Sequence, residues 1–269
     1  MTKANFREQL RAAGYHVTVD IKAKYLDGML STLPHSSELI HVFRQETLIR
    51  LFSNAQLRKG RAYTFSQLQQ IALPGEHDRL FQAYITDLLK RRIFHRVYVL
   101  PCDLCGIENY VKPSSLTEDM RCDNCRAFLN IPLDLAFSYH LSTLFQTGLK
   151  NGLLTVILAL VYLMKNNADN LQFESHLLIK KQKQSGDIDL IVKYADTLYM
   201  IECKDNLNTR QTTLAGLETQ LALFKDVADA LNATPVFATL YDGDWLPDVT
   251  KMLEKYDIAL WSREMLIEE

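Results

Sequence analysis

The chain has 269 residues, 48% of them hydrophobic, with 30 Lys and Arg against 32 Asp and Glu and only 10 Gly and 7 Pro. That composition excludes a disordered or collagen-like chain, and the length suits about two domains or three small modules. A formal charge of −2 excludes attraction of nucleic acid by the molecule as a whole, so any such binding must come from local basic patches.

Residues 1–62 carry no motif that can be tied to a chemistry. Apolar spacing predicts a helix over 6–13, a strand over 15–21 and a helix over 37–52. The opening Met-Thr-Lys-Ala-Asn-Phe-Arg-Glu lacks a secretory apolar core, so the expectation is a cytoplasmic chain with no membrane association.

Residues 63–100 read as a short helix from Thr64, a turn at Pro74-Gly-Glu-His, a longer helix over 78–93 and an alternating strand over 95–100. In the longer helix Leu80, Tyr84, Leu88 and Leu89 are expected to face inward. Helix, turn, helix, strand resembles a winged helix, which implies either a helix docked in a DNA major groove or a protein-docking module. Lys90, Arg91, Arg92, His95 and Arg96 form a basic cluster at the junction, preceded by Arg58, Lys59 and Arg61. Of these, Lys90, Arg91, Arg92 and Arg96 are candidate nucleic-acid contacts.

Next comes Cys102-Asp-Leu-Cys105, then sixteen residues, then Cys122-Asp-Asn-Cys125. Each pair closes a tight knuckle and the intervening loop lets the knuckles face each other, the spacing of a closed four-thiolate metal site. Two disulfides are the alternative. The absence of a secretory segment and the presence of a fifth cysteine, Cys203, favour metal. Residues 101–131 resemble a zinc ribbon, which implies one structural Zn2+ at Cys102, Cys105, Cys122 and Cys125.

Residues 132–269 read as a fourth region. Gly152 to Met164 is almost wholly apolar but too short to span a bilayer, and it suits a helix buried against a sheet. A strand over 171–179 and a basic loop containing Lys180, Lys181 and Lys183 follow, the three lysines being candidate phosphate contacts. Then comes Gly186-Asp-Ile-Asp-Leu-Ile, a turn, and Met200-Ile-Glu-Cys-Lys204. Alternation in the two strands puts Asp187 and Asp189 on one face, and likewise Glu202 and Lys204. Three carboxylates and an ammonium on an apolar hairpin are costly to half-bury without a metal or a substrate. A helix over 211–231, a strand over 235–241, a helix over 247–256 and a strand over 258–261 complete a pattern that implies parallel strands joined by crossovers.

The pattern Gly-acid-Ile-Asp-Leu-Ile, turn, apolar-Glu-x-Lys resembles the core of the PD-(D/E)xK nuclease superfamily, the restriction-endonuclease-like and Holliday-junction-resolvase-like enzymes. The resemblance implies an α/β fold with a mixed sheet flanked by helices. It also implies a metal-dependent endonuclease hydrolysing phosphodiester bonds of DNA, with RNA as a variant substrate, in restriction or antiviral defence. It makes Asp189 and Glu202 ligands of Mg2+ (or Mn2+) together with the backbone carbonyl of Cys203, Lys204 the catalytic lysine, and Asp187 an accessory acid. Upstream, Glu174 is the nearest acid that could add a ligand. A homodimer or a larger complex with an unidentified partner would suit double-strand cutting. The competing reading is a non-catalytic zinc-ribbon and winged-helix adaptor on a nuclease-like scaffold.

Overall fold

The structure is a computed structural model that describes residues 2–3, 6–72, 78–165, 171–182, 184–206 and 213–267. The chain divides into two compact units, one made of residues 1–46 and 151–269 and the other of residues 47–150.

The first unit is built on a mixed sheet. Six strands lie in line in the order β1 (Thr2–Lys3), β6 (Gln172–Lys181), β7 (Gln184–Tyr194), β8 (Thr197–Lys204), β9 (Thr234–Thr239) and β10 (Ala259–Trp261). A further strand, β2 (His16–Val19), pairs antiparallel with β6, so the amino-terminal segment extends the sheet edge. The β6, β7 and β8 strands form an antiparallel meander. From β8 onward the strands run parallel, because α10 (Leu214–Ala230) and α11 (Leu246–Lys255) carry the chain back over the sheet between them.

Helices cover the sheet in two groups. Leu217, Leu221, Phe224 and Val227 of α10 enter one apolar cluster with Val249 and Leu253 of α11 and Leu10 of α1 (Arg7–Ala12). Apolar residues at helical spacing in α10 thus do what their period predicted. The α9 helix (Leu153–Met164) is buried at every residue but Tyr162, and it contacts β7, β8 and β9 together with α3 (Ser36–Phe43) and α12 (Arg263–Ile267). An all-round apolar helix is stable here because it is enclosed on all sides. No single helix among the described residues is long and apolar enough to cross a membrane.

The second unit contains α5 (Ala55–Arg58), α6 (Phe65–Ala72), α7 (Asp78–Lys90) and α8 (Thr143–Lys150), with a three-stranded sheet ordered β4 (Glu108–Val111), β3 (Phe94–Pro101), β5 (Ser138–Leu141). The expected turn at residues 74–77 lies outside the described residues. In α7 Leu88 is buried as expected, but the other buried positions are Phe81 and Ile85, and Leu80 is 54% exposed, so the first two turns face inward one residue on from Leu80 and Tyr84. Phe81 packs on Phe65 at 5.2 Å, and a ring at position 81 fills that interface better than Leu80 would.

Two expected elements differ in extent. The predicted helix over 37–52 is two helices, α3 and α4 (Glu46–Ser53), broken at Arg44 and Gln45. The predicted loop around Lys180 is strand: β6 runs through Lys181 and the chain turns at Gln182, whose φ is 55°.

Candidate active site and metal centre

The β7–β8 ladder pairs Tyr194 with Thr197 and ends at Leu190 with Ile201. Beyond that point β7 remains paired with β6, and β8 remains paired with β9 as far as Lys204 with Thr239. The sheet therefore forks, and Asp187 and Asp189 lie on one prong while Glu202 and Lys204 lie on the other. One side chain bridges the fork: Asp189 Oδ2 accepts the Cys203 N–H at 2.8 Å.

A local distortion frees Asp189 to do this. The β6–β7 ladder is continuous on both sides of His176 and Asp189, but these two residues do not pair, and His176 has φ 50°, in the left-handed region. Ile188 and Ile191, three residues apart, both enter the α10-side cluster, which strict alternation forbids. The face switch falls at Asp189 and Leu190. Asp189 and His176 are thereby turned toward each other, with Oδ1 3.5 Å from Nδ1.

Both acids are buried, Asp189 and Glu202 each being 5% exposed. The Lys204 ammonium reaches Glu202 Oε1 at 2.5 Å. Burial and the nearby Asp189 push the Glu202 carboxyl up to about 8. Burial acts against Asp189 as well, but the hydrogen bond from His176 and the charge of Lys204 outweigh it and hold Asp189 low. Lys204 is raised above the ordinary lysine value because Glu202 and Asp189 outweigh its burial. One ammonium cannot neutralise two buried carboxylates, so Glu202 retains its proton until a second positive charge arrives, and two carboxylate groups are hard oxygen donors of the kind magnesium takes. The donor set therefore fits a divalent cation.

The neighbours of this cluster are specific. Asp187 is half exposed, 3.9 Å from the Lys22 ammonium at the start of α2 (Lys22–Ser31). Glu174 is not free to join: Arg7 Nε binds its Oε1 at 2.8 Å and the Phe6 N–H binds its Oε2 at 2.8 Å. The Cys203 thiol is buried, and burial, Asp189 and Glu202 push it well above the ordinary thiol value, so it is a core group and no nucleophile. Asp205, next after Lys204, accepts both the Thr155 N–H at 3.0 Å and the Thr155 hydroxyl at 2.6 Å, satisfying a donor in the first turn of α9. A groove of about 410 Å³ opens beside Glu202 and Asp187, walled by Gly186 and Ile188 of β7 and by Gln220 and Phe224 of α10.

The sequence reading missed His176. Its Nε2 is buried with no hydrogen-bond partner, an unusual condition for a polar atom in a core. A lone histidine inside an apolar strand gives no signal of its own, and only the pairing of β6 with β7 shows what it faces.

In the second unit the four cysteines converge. Their sulfurs all lie within 4.8 Å of one another, and among the described residues this is the one place where three or more His, Cys, Asp or Glu donors do so. Cys102 and Cys125 are 3.5 Å apart and Cys105 and Cys122 3.6 Å, near the edge of about 3.8 Å in a tetrahedral zinc–thiolate site. None of the five cysteines is in a disulfide. The two knuckles match: Gly106 N–H bonds Cys102 O and Arg126 N–H bonds Cys122 O, with φ 72° and 64°. Backbone N–H groups of Cys125 and Asn124 pull the Cys122 thiol down to about 6. At Cys125 the Ala127 N–H favours the thiolate, but burial and the neighbouring thiols prevail and push it up to about 12. Four crowded thiols cannot all ionise without a cation between them.

Asn109, also missed, ties this cluster together. Its amide donates to Leu100 O and Ile107 O, both at 3.1 Å, and approaches Cys122 Sγ at 3.8 Å, while its carbonyl accepts the Asp123 N–H at 2.9 Å.

The candidate nucleic-acid contacts divide between the two units. Lys181 is held by Ala13 O at 3.1 Å and lies over the Tyr15 ring, Lys180 pairs with His16 in the ladder, and Lys183 lies outside the described residues. Lys90 ends α7, Arg91 binds Asp87 at 2.7 Å, Arg92 is exposed with φ 58°, and Arg96 covers the Phe137 ring.

No protein-family model matches the chain, and no curated protein matches it. Among solved structures the chain is similar to protein VC1899 from Vibrio cholerae, at 14% identity and a TM-score of 0.49, with 100% of this chain aligned to 60% of that one. It is also similar to Can2 from Sulfobacillus thermosulfidooxidans in complex with cyclic tetra-adenylate, at 13% identity and a TM-score of 0.39, with 96% of this chain aligned to 56% of that one. The chain thus spans less than two thirds of the length of either protein.

Proposed function

We propose that the chain is a metal-dependent endonuclease of the PD-(D/E)xK type that hydrolyses phosphodiester bonds of DNA, with a structural zinc at its four cysteines. The observation that carries this reading is the sheet fork, where two buried carboxylates and a half-buried ammonium are held together. Asp189 and Glu202, with the Cys203 carbonyl, would hold Mg2+ or Mn2+, which when bound supplies positive charge to the phosphate and lowers the pKa of water. Asp189 is kept ionised by His176 and Lys204, so it is ready to bind a cation at neutral pH. Lys204 keeps its proton and therefore acts as a fixed positive charge for the phosphate oxygens, not as a base. Asp187, at the mouth of the fork, would orient water as an accessory acid. The cysteine cluster, closed by four thiolates, holds residues 101–131 together and does no chemistry. Restriction or antiviral defence is the setting that the superfamily resemblance suggests.

The test is cleavage of plasmid, linear and single-stranded DNA with Mg2+ or Mn2+. Asp189→Ala and Lys204→Ala are each expected to lower the rate at least about a hundredfold with an unchanged circular dichroism spectrum. A native chain as inert as both variants in either metal refutes the hydrolytic reading and favours a non-catalytic adaptor.

A further inference from the structure

The second unit carries a feature that the hydrolytic site does not use. In its three-stranded sheet His95 of β3 pairs with His140 of β5, and Val99 of β3 pairs with Tyr110 of β4. The Tyr110 and His140 rings meet across β3 at 4.8 Å and 34°. Three exposed cations surround these rings. Arg92 stands two residues before β3, Lys112 directly follows β4, and Arg61 follows Gly60, whose carbonyl lies 3.0 Å from His140 Nε2. Arg61 also reaches over the Tyr63 ring, at 5.8 Å.

The charges lie near enough to act on one another. Burial, then Lys112 and Arg92, push the His95 imidazole down, and His95 acts on His140 in the same direction. The charge of Arg61 is felt at Tyr110. The acid in contact with this set is Glu108, which accepts the Tyr110 hydroxyl at 2.9 Å and fixes the ring.

Partly exposed rings on a sheet face, bordered by cations, suit a polyanion with free base faces. A duplex hides those faces, whereas a single strand offers them for stacking while its phosphates meet the cations. We propose that this face, with Arg61, Arg92, His95 and Lys112 around Tyr110 and His140, is a binding platform for single-stranded nucleic acid. The platform stands independently of the hydrolytic reading, since it needs neither Asp189 nor Glu202.

The experiment is fluorescence anisotropy in magnesium-free buffer, with the full zinc-loaded chain and a labelled oligothymidylate of about 20 nucleotides, spanning more than one platform. The Arg61→Glu, Lys112→Glu double variant is expected to bind at least about tenfold more weakly. Its plot of log affinity against log salt should be shallower by about 1.4, the contribution of two phosphate contacts on a single strand. Arg92→Gly, which suits a φ of 58°, keeps the fold and should also weaken binding. Lys251→Glu, at an exposed position of α11 in the other unit, should leave binding unchanged. The proposal is overturned if the parent does not bind, if the platform variants bind like the parent, if Lys251→Glu is equally damaging, or if a duplex of the same length binds more tightly.

Discussion

Glu202→Gln isolates the cost of placing a second carboxylate in the fork. In the folded chain Glu202 keeps its proton up to about 8, whereas the same group in an unfolded chain loses it near the ordinary 4.5. Between those values the native state binds a proton that the unfolded state has released, so stability falls as pH rises, by ~1.4 kcal/mol per pH unit. This group's contribution is fully present below about 4.5 and lost as pH passes about 8, a total on the order of 5 kcal/mol. Asp189, held low, changes state below this window and Lys204, held high, above it, so Glu202 is the one member of the trio that titrates inside. Glutamine is close in shape and cannot titrate. Urea unfolding in magnesium-free buffer with zinc retained should give similar stabilities for the two chains near about pH 5 and a more stable variant near about pH 8.5. Added Mg2+ should then stabilise the wild type at the higher pH more than the variant, because the variant keeps only the Asp189 carboxylate to gain from the cation. Parallel pH–stability curves for the two chains would show that Glu202 titrates as an ordinary carboxylate, and would refute the argument from burial and from Asp189.

His176→Ala removes the ring beside Asp189 and should weaken Mg2+ dependence of cleavage about tenfold or more, while His176→Asn, which tolerates the left-handed φ and keeps a donor, should recover part of the loss. A metal titration of the cleavage rate distinguishes this from simple destabilisation, which would move the unfolding midpoint without moving the metal requirement. Asn109→Ala removes the amide that joins the two knuckles and should reduce zinc affinity about 10- to 100-fold, read by competition with a chromogenic chelator. Asp205→Ala leaves Thr155 N–H and hydroxyl without their acceptor at the start of α9 and should cost about 1–3 kcal/mol, measured by urea unfolding. An unchanged unfolding midpoint would mean that water replaces the carboxylate there without penalty.

Elements whose period is set by one buried face were readable from the chain alone. The residues of α10 that pack inward, Leu217, Leu221, Phe224 and Val227, recur at helical spacing, and the apolar stretch of α9 could be nothing but an enclosed helix. The four cysteines were readable because metal ligation constrains spacing directly. In α7 two apolar stripes compete, one through Leu80 and Tyr84 and one through Phe81 and Ile85, and only the partner Phe65 decides between them. The role of residues 1–46 was hidden for a similar reason. Strand β2, four residues long, falls within the strand expected over 15–21, but its partner, the open edge of β6 some 160 residues later, left no local signal.

At the site, the residue types were legible and the geometry was not. Alternation puts Asp187 and Asp189 on one face, but it also puts Ile188 opposite Ile191, and the structure buries both in the same cluster. A face switch at Asp189 requires His176 on the neighbouring strand to leave the ladder, and it does so at φ 50°. A non-glycine residue in that conformation costs on the order of 1 kcal/mol, which the sheet tolerates because the two departures coincide and the imidazole meets the carboxylate. An ideal hairpin would continue the β7–β8 ladder past Leu190 and bond the Cys203 N–H to backbone. Because the ladder stops at Leu190 and Ile201, that N–H is taken by the Asp189 side chain instead. The hydrogen bond that would have closed the sheet thus holds the candidate ligand in place, and the fork and the site are one structural event.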